Sequence, residues 1–464
     1  MTHLLSHPML GAGALLASTA ALAAAPPPPA PPPLAPVYMG SSPASQPMAS
    51  TEAVDWWHTF DDPVLSVLVE QALSQNIDLR VSVARVGAAR AMQKGAKAAG
   101  KPEIDLGGDV GRQRASAYGI GYTKTYESNA FEADLSASWE LELFGRVRSG
   151  VTAAKADLAA AQQDSQNARL LVANETARTY LAVRGYDRRL AILRDQQRAQ
   201  SETAGYTKRM FDAGAAPRGD LDRAEAQAAS TTADVPAMEL QREQQVLRLS
   251  VLLATTPQDI AKTLGEAGTA TSPQDPPAGV PADLLRRRPD IAAAEARVLA
   301  AYGRLGVAEA DLKPQFRLDG MIGALASAFT GVGLGRSLEW LAQASGSAPL
   351  FDGGRRRSVI QQRQAEADEA RLHYQATVLG AVQEVEGALA SLARDRERSA
   401  ALRMSATSAR NAADQVKASW QAGQTPILDV LEADRTRLAA DDSLAQSQTE
   451  ILRGQVQLYT SLGD

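Results

Sequence analysis

The sequence predicts a mostly α-helical fold with a smaller membrane β-barrel contribution, built from two copies of one unit, each a strand hairpin followed by a very long helical hairpin. Three observations carry this: a long-period internal repeat, a strict two-residue alternation over residues 131–143, and a proline-free stretch of helical periodicity from Arg146 to Asp212.

The repeat lies at an offset of 212. Asp78, Ala84-Arg85-Val86, Ala88-Ala89, Lys101-Pro102, Leu106, Gly108 and Gly111 recur as Asp290, Ala296-Arg297-Val298, Ala300-Ala301, Lys313-Pro314, Leu318, Gly320 and Gly323. Further on, Leu143-Phe144 recurs as Leu350-Phe351, and Phe211 to Pro217 recurs as Trp420 to Pro426 with the offset moved to 209. A repeat of this length governs how every segment is read. The expected organisation is a signal peptide at 1–25, a Pro-rich N-terminal linker at 26–50, a first repeat at 51–270 and a second at 271–464. In the first, the strand hairpin occupies about 103–144 and the helical hairpin about 146–255; in the second, about 315–351 and about 354–463.

Taken in order, Met9 to Ala25 is an apolar run ending in small residues that offer an A-x-A cleavage site, although no Lys or Arg precedes it. Pro26 to Pro36 reads as an extended linker. After it no apolar run is long enough for a membrane-spanning helix. In the first strand hairpin, Phe131, Ala133, Leu135, Ala137, Trp139, Leu141 and Leu143 alternate with Glu132, Asp134, Ser136, Ser138, Glu140 and Glu142. Ile104, Leu106 and Val110 against Asp105 and Asp109 supply its partner, and the second copy repeats the pattern at 316–325 and 338–350. The period then becomes helical: Val147, Val151, Ala154, Leu158 and Ala161 form one narrow apolar seam, and Val378, Val382, Val385, Leu389 and Leu392 another. An unbroken helix from Arg146 to Asp212 would run roughly 100 Å. It stops at Gly214 and Pro217 and returns through Asp220 to about Thr255; the second stops at Gly423 and Pro426 and returns to the C-terminus.

Composition narrows the function classes. The net charge of −5 is interspersed, which gives no nucleic-acid footprint, and aromatics at 5% are too few for a large catalytic core. Without cysteine there is no disulfide, thiolate or zinc-thiolate chemistry, and His3, His7, His58 and His373 have no metal spacing. No catalytic residues, metal or cofactor are expected. Gly95 to Lys101 fits the start of a phosphate loop, but Pro102 replaces the required Ser or Thr, so it reads as a helix end. Gly331, Gly333 and Gly335 read as an extracellular loop.

A four-stranded sheet with an apolar and an acidic face has two fates. Its apolar face can pack on the chain's own helices, or it can meet lipid, where open edges are not tolerated. The narrow helix seams suit helix partners better than a sheet. Closure would then come from oligomerisation: two copies give about eight strands with a filled interior, three give about twelve with a lumen. In a homotrimer Phe131, Leu135, Trp139 and Leu143 would face lipid, and Glu132, Asp134, Glu140 and Glu142 would line the interior.

Trp56-Trp57, Phe60, Asp62-Pro63, Asn76 to Leu79 and Ala84-Arg85-Val86, then Trp139 to Gly145, Leu284-Leu285 with Arg287 to Ile291, and Leu350 to Gly354, together resemble the outer membrane factor family. These are the TolC- and OprM-like channels of tripartite efflux pumps, and the resemblance runs from about Tyr38 to the C-terminus. It implies a trimer in the cell outer membrane with a twelve-stranded barrel, a long periplasmic helical barrel and a mixed equatorial region. It also implies docking to a periplasmic adaptor and an inner-membrane transporter, and a passive exit duct for small molecules such as drugs. A type I protein-secretion duct and a periplasmic coiled-coil scaffold are the alternatives. One departure is that Leu22-Ala23-Ala24 is followed by Ala25 where many OprM-like members carry an acylated cysteine, so no lipid anchor is expected. By position, the family's periplasmic gate corresponds to Asp220, Asp222 and Arg223 after the first tip and Leu428, Asp429, Glu432 and Arg435 after the second; first-turn helix charges are the plainer reading of the same residues. Arg355-Arg356-Arg357 falls where a strand becomes a helix and is placed to meet lipid phosphate or to be a solvated helix start. The copies differ: the first hairpin is longer, and only the second tip carries Leu428 with Glu432, so any gate is expected to be asymmetric.

Overall fold

The computed structural model describes residues 29–39, 55–119, 122–265, 275, 279–329 and 332–463. The expected signal peptide at 1–25 and most of the Pro-rich segment lie outside these residues. The described residues divide into two compact units. One is formed by residues 95–153 and 302–364, the other by residues 29–94, 154–301 and 365–463. The fold class is the expected one, mostly helical with four antiparallel strands contributed two by each copy.

The first unit holds the sheet. Strands β1 (Glu103–Gly119), β2 (Tyr122–Leu141), β3 (Gln315–Phe329) and β4 (Val332–Ser347) pair antiparallel in the order β1-β2-β3-β4. Register sorts the alternation into two faces. Leu106, Leu135, Ile322 and Trp340 stand in one row across the sheet, and Gly107, Asp134, Gly323 and Glu339 in the next. A slip of one residue in any strand would mix the rows, so the pattern itself fixes the pairing. The apolar face also carries Ile104, Val110, Phe131, Trp139, Leu318 and Leu338, all exposed in the isolated chain. β1 and β4 are the sheet edges. Glycine-rich sequence concealed the start of β4: Gly333 and Gly335, read above as loop, lie on the strand, with Gly335 opposite Ser327.

The helices are α1 (Pro63–Gln75), α2 (Ile77–Ala98), α3 (Arg146–Asp212), α4 (Arg218–Leu252), α5 (Pro257–Leu264), α6 (Leu284–Arg287), α7 (Pro289–Ala310), α8 (Arg355–Gln421) and α9 (Ile427–Leu462). α3 and α8 have the same length, 67 residues. Helix α4 continues through Pro236 in spite of the missing backbone donor. Both tips use one device. Gly214 (φ 71°) and Gly423 (φ 74°) take the left-handed conformation that glycine tolerates, and matching N–H groups of Ala215 and Gln424 donate to the carbonyls of Met210 and Ser419. Pro217 and Pro426 then start the return helices.

The core of the second unit gathers Trp56, Phe60, Leu65, Leu68, Tyr180, Leu249, Ile260 and Tyr459. Trp56 stacks on Tyr459 at 5.5 Å between ring centroids. The Asp62 carboxylate caps α1 through the N–H groups of Val64 and Leu65 and accepts a 2.6 Å bond from the Tyr180 hydroxyl, which in turn accepts from Arg184. Arg288, buried, donates to Glu384, Asp290 and the Ser461 carbonyl, tying the end of α9 to the start of α7. The Trp56-Trp57 and Arg287 to Asp290 motifs are thus core and anchor.

Candidate conduit elements

On the polar face of the sheet, Glu132 and Asp134 of β2 stand beside acids that the single-strand pattern does not bring together. Asp109 lies directly opposite Glu132, and Glu339 shares the cross-strand row of Asp134. Cross-strand register, not spacing along one strand, assembles them. Gly107 and Gly323 flank Asp134, whose carboxylate fills the space a side chain on Gly107 would need. Glu140 and Glu142 differ from the other two. Arg146 donates from Nε to Glu140 at 2.7 Å, and the Arg148 N–H donates to Glu142 at 2.6 Å, so both acids tie the end of β2 to the first turn of α3. Asp352 does the same before α8, accepting from the N–H groups of Gly354 and Arg356 and from the Arg356 guanidinium, so Arg356 of the arginine triplet is tied to its own chain.

At the tips, every sequence-predicted residue sits in the first three turns of a return helix. Asp220 pairs with Arg223 and Asp222 with Arg218 on α4; Glu432 pairs with Arg435 on α9. All three pairs are intrahelical. Exposed pairs of this spacing contribute only about 0.5 kcal/mol, so within one chain they cannot lock the tips. Leu428 is half exposed and Asp429 lies in the first turn of α9. Between the two tips lies a groove of about 410 Å³ lined by Tyr206, Met210, Pro217, Asp220, Trp420 and Ile427. Tyr206 and Trp420 meet edge to face at 4.8 Å.

Toward the tip the buried seam of α3 is polar, unlike the apolar seam read at Val147 to Ala161. Gln196, Gln200, Thr203 and Thr207 are all buried at helical spacing, and neither polar atom of Gln200 has a protein partner. Arg437 of α9 donates to Gln196 at 2.6 Å and stands 3.5 Å from the buried Asp434. Burial pushes the Asp434 carboxyl above its ordinary value, with Asp414 adding to the effect and Arg437 and Lys417 opposing it. Sequence reading passed over Asp434 because it sits among ordinary surface charges of α9; only packing against α8 and α3 buries it. Among the described residues no cluster could hold a metal ion, and no helix is long and apolar enough to cross a membrane.

Comparison with known proteins adds to this geometry. The profile of the family described as Outer membrane efflux protein matches residues 68–255 and 280–464. Nodulation protein T of Rhizobium leguminosarum bv. viciae is 32% identical, over 91% of this chain and 86% of its own length. Outer membrane protein OprJ of Pseudomonas aeruginosa is 29% identical, over 98% of this chain and 96% of its own. Among solved structures, the outer-membrane channel OprN superposes with a TM-score of 0.83 at 33% identity, over 93% of this chain and 97% of that one.

Proposed function

Because the chain belongs to the outer membrane efflux protein family, we propose that three copies close their sheets into one barrel of about twelve strands and form the exit duct of a tripartite pump for small molecules. The chain is an outer-membrane efflux component, a duct and not an enzyme. The observation that carries the proposal is the sheet: one face apolar and largely exposed along a central band, the other acidic, with an edge at β1 and another at β4. Along β2 the apolar face runs from Phe131 to Leu141, about 33 Å of strand at ~3.3 Å per residue. For a strand tilted ~40° that is about 25 Å of depth, the height of an outer-membrane apolar band. Beyond it, on the same face, Arg112 and Arg114 stand by Glu127, where charged groups would reach the lipid headgroups.

The groove between the tips is the surface we assign to a periplasmic adaptor, which would join this duct to an inner-membrane transporter. Its support is chemical: the groove is lined by the Tyr206–Trp420 pair together with Asp220, and Trp and Tyr are enriched among the anchors of protein interfaces. The acids of the polar sheet face would line the lumen. Asp220, Asp222, Arg223, Leu428, Asp429, Glu432 and Arg435 would form the gate only through contacts between copies, since their pairs within one chain are intrahelical.

Deleting the gene should make cells more susceptible to hydrophobic antibiotics and dyes, with complementation restoring resistance. Unchanged susceptibility together with loss of a secreted protein would favour the protein-secretion reading instead. For the gate, Glu432→Ala combined with Arg435→Ala should raise single-channel conductance in planar bilayers; equal conductance would remove these residues from the gate.

A further inference from the structure

Where each strand hairpin runs into its long helix, both repeats leave a bare apolar pair. Leu143-Phe144 follows β2 and Leu350-Phe351 follows β4. The first pair is about half exposed, and Leu350 and Phe351 are 97% and 92% exposed, although both pairs belong to the same compact unit as the sheet. A left-handed glycine turn follows each: Gly145 (φ 80°) after the first, Gly353 (φ 65°) and Gly354 (φ 91°) after the second. A Cβ on any of the three would meet nothing within 4 Å, so these glycines serve the turn and not close packing.

The pairs prolong the apolar face of the sheet. Leu143 keeps the two-residue step of Trp139 and Leu141 along β2, and Leu350 keeps that of Trp340, Ala342 and Ala344 along β4. β2 has β1 on one side and β3 on the other, so the edge of another copy's sheet cannot reach it. Trp139 marks a boundary: its ring lies on the apolar face, while its Nε1 donates to the Gly100 carbonyl at 3.1 Å, beside Lys101. A ring with one apolar and one polar end suits the interface between membrane and water. Leu143 lies about 13 Å further along the strand direction, at ~3.3 Å per residue, past the apolar band and level with headgroups.

Charge at this end is unbalanced. Residues 95–103, 140–153, 304–317 and 348–364 hold eleven Lys and Arg against six Asp and Glu. Three of the acids are already bound within the chain, Glu140 to Arg146, Glu142 to Arg148 and Asp352 to Arg356. Lys101, Lys313, Arg355 and Arg357 are exposed, and among the described residues none of the four makes an ion pair. Lys101 and Lys313 are equivalents in the repeat, each standing before the proline that opens a hairpin. At the far end of the same sheet face Arg112 and Arg114 share Glu127, so there the chain supplies counter-charge of its own.

Taking the apolar sheet face as membrane-facing, as proposed above, we infer that these residues form a collar for anionic phospholipid in the periplasmic leaflet of the outer membrane. Leu143-Phe144 and Leu350-Phe351 seat where headgroups meet acyl chains, and Lys101, Lys313, Arg355 and Arg357 take the phosphates. Apolar side chains flanked by cations bind anionic membrane surfaces in this way, the apolar part setting depth and the cations selecting the headgroup. A zwitterionic lipid would cover the apolar pairs equally well but would leave the excess of cations without counter-charge. An anionic one answers both features, and the duplication gives every copy two points of hold at one depth.

The chain has no native cysteine, so single cysteines can carry an environment-sensitive dye. In full-length protein reconstituted into vesicles of phosphatidylcholine and phosphatidylglycerol, dyes on Leu143→Cys and Phe351→Cys should be quenched by lipids bearing a nitroxide near the headgroup and spared by aqueous iodide. A dye on Leu135→Cys should be quenched best by a nitroxide deep in the acyl chain. Failure at Leu135 overturns the membrane-facing reading itself. Success there with iodide quenching at either collar position overturns the collar alone, as does shielding from both quenchers, which would mean that another copy covers the pair. The headgroup is tested separately with spin-labelled lipids. Arg355→Gln with Arg357→Gln should lower the preference for phosphatidylglycerol over phosphatidylcholine roughly twofold, and Arg355→Lys with Arg357→Lys should keep it. An unchanged preference in the Gln variant, or an equal loss in the Lys variant, overturns the assignment of the phosphates.

Discussion

Asp434 is an acid whose protonation is set by packing. Its carboxyl is buried beside Arg437, with Lys417 and Asp414 nearby, and desolvation raises its folded value above the unfolded one of ~3.9. A raised carboxyl binds more protons folded than unfolded, so its contribution favours the folded tip as pH falls through the raised value and levels off below the unfolded one. Between those two values wild type should gain thermal stability on acidification relative to Asp434→Asn, which has nothing to titrate there. Parallel profiles of melting temperature against pH for the two proteins would count against this. Asp434 was not legible in the sequence, because burial of a single acid in a charged segment is decided by three helices at once. Leu428, Glu432 and Arg435 were placed at the tip by the repeat alone, since Gly-x-x-Pro turns fix where a return helix starts.

Among the elements, α7 shows how a repeat can hide a tight contact. Gly303 reads as a helix-weakening residue, yet it is where α3 comes closest. Gly303→Ala should therefore destabilise the protein by about 1–3 kcal/mol, although alanine is the better helix former, because the methyl meets backbone and not a side chain that can swing away. Calorimetry of the purified protein checks the sign; a stabilised variant would mean that α7 can shift outward freely. The strands were legible where alternation was strict, as in β2, and illegible at Gly333 and Gly335, where residues without side chains carry no period. The expected return to about Thr255 holds for α4, which ends at Leu252 and continues through Pro236, where packing on neighbouring helices outweighs a local breaker.

For the whole molecule, the proposed trimer would turn the acidic sheet face inward, and such a duct should prefer cations. Glu132 and Asp134 should dominate, because Glu140 and Glu142 are already bound by groups at the start of α3. Glu132→Gln with Asp134→Asn should lower the cation-to-anion permeability ratio roughly threefold, the effect of about one kT of local potential, and Glu140→Gln should change it less. Reversal potentials in a salt gradient measure both, and anion preference in the wild type would reject an acidic lumen. The duplication, the two-faced sheet and the tips were legible from periodicity, whereas the polar lining of the α3 seam was not, since helical spacing reports burial but not what is buried. That lining has a thermodynamic consequence. Parting α3 from its neighbours at Gln196, Gln200, Thr203 and Thr207 would hydrate amides and hydroxyls where an ordinary helix seam would hydrate hydrocarbon. Hydrating polar surface lowers heat capacity while hydrating apolar surface raises it. Separation of this seam therefore carries little of the curvature with temperature that global unfolding has, and the work of parting it changes nearly linearly from cold to warm surroundings.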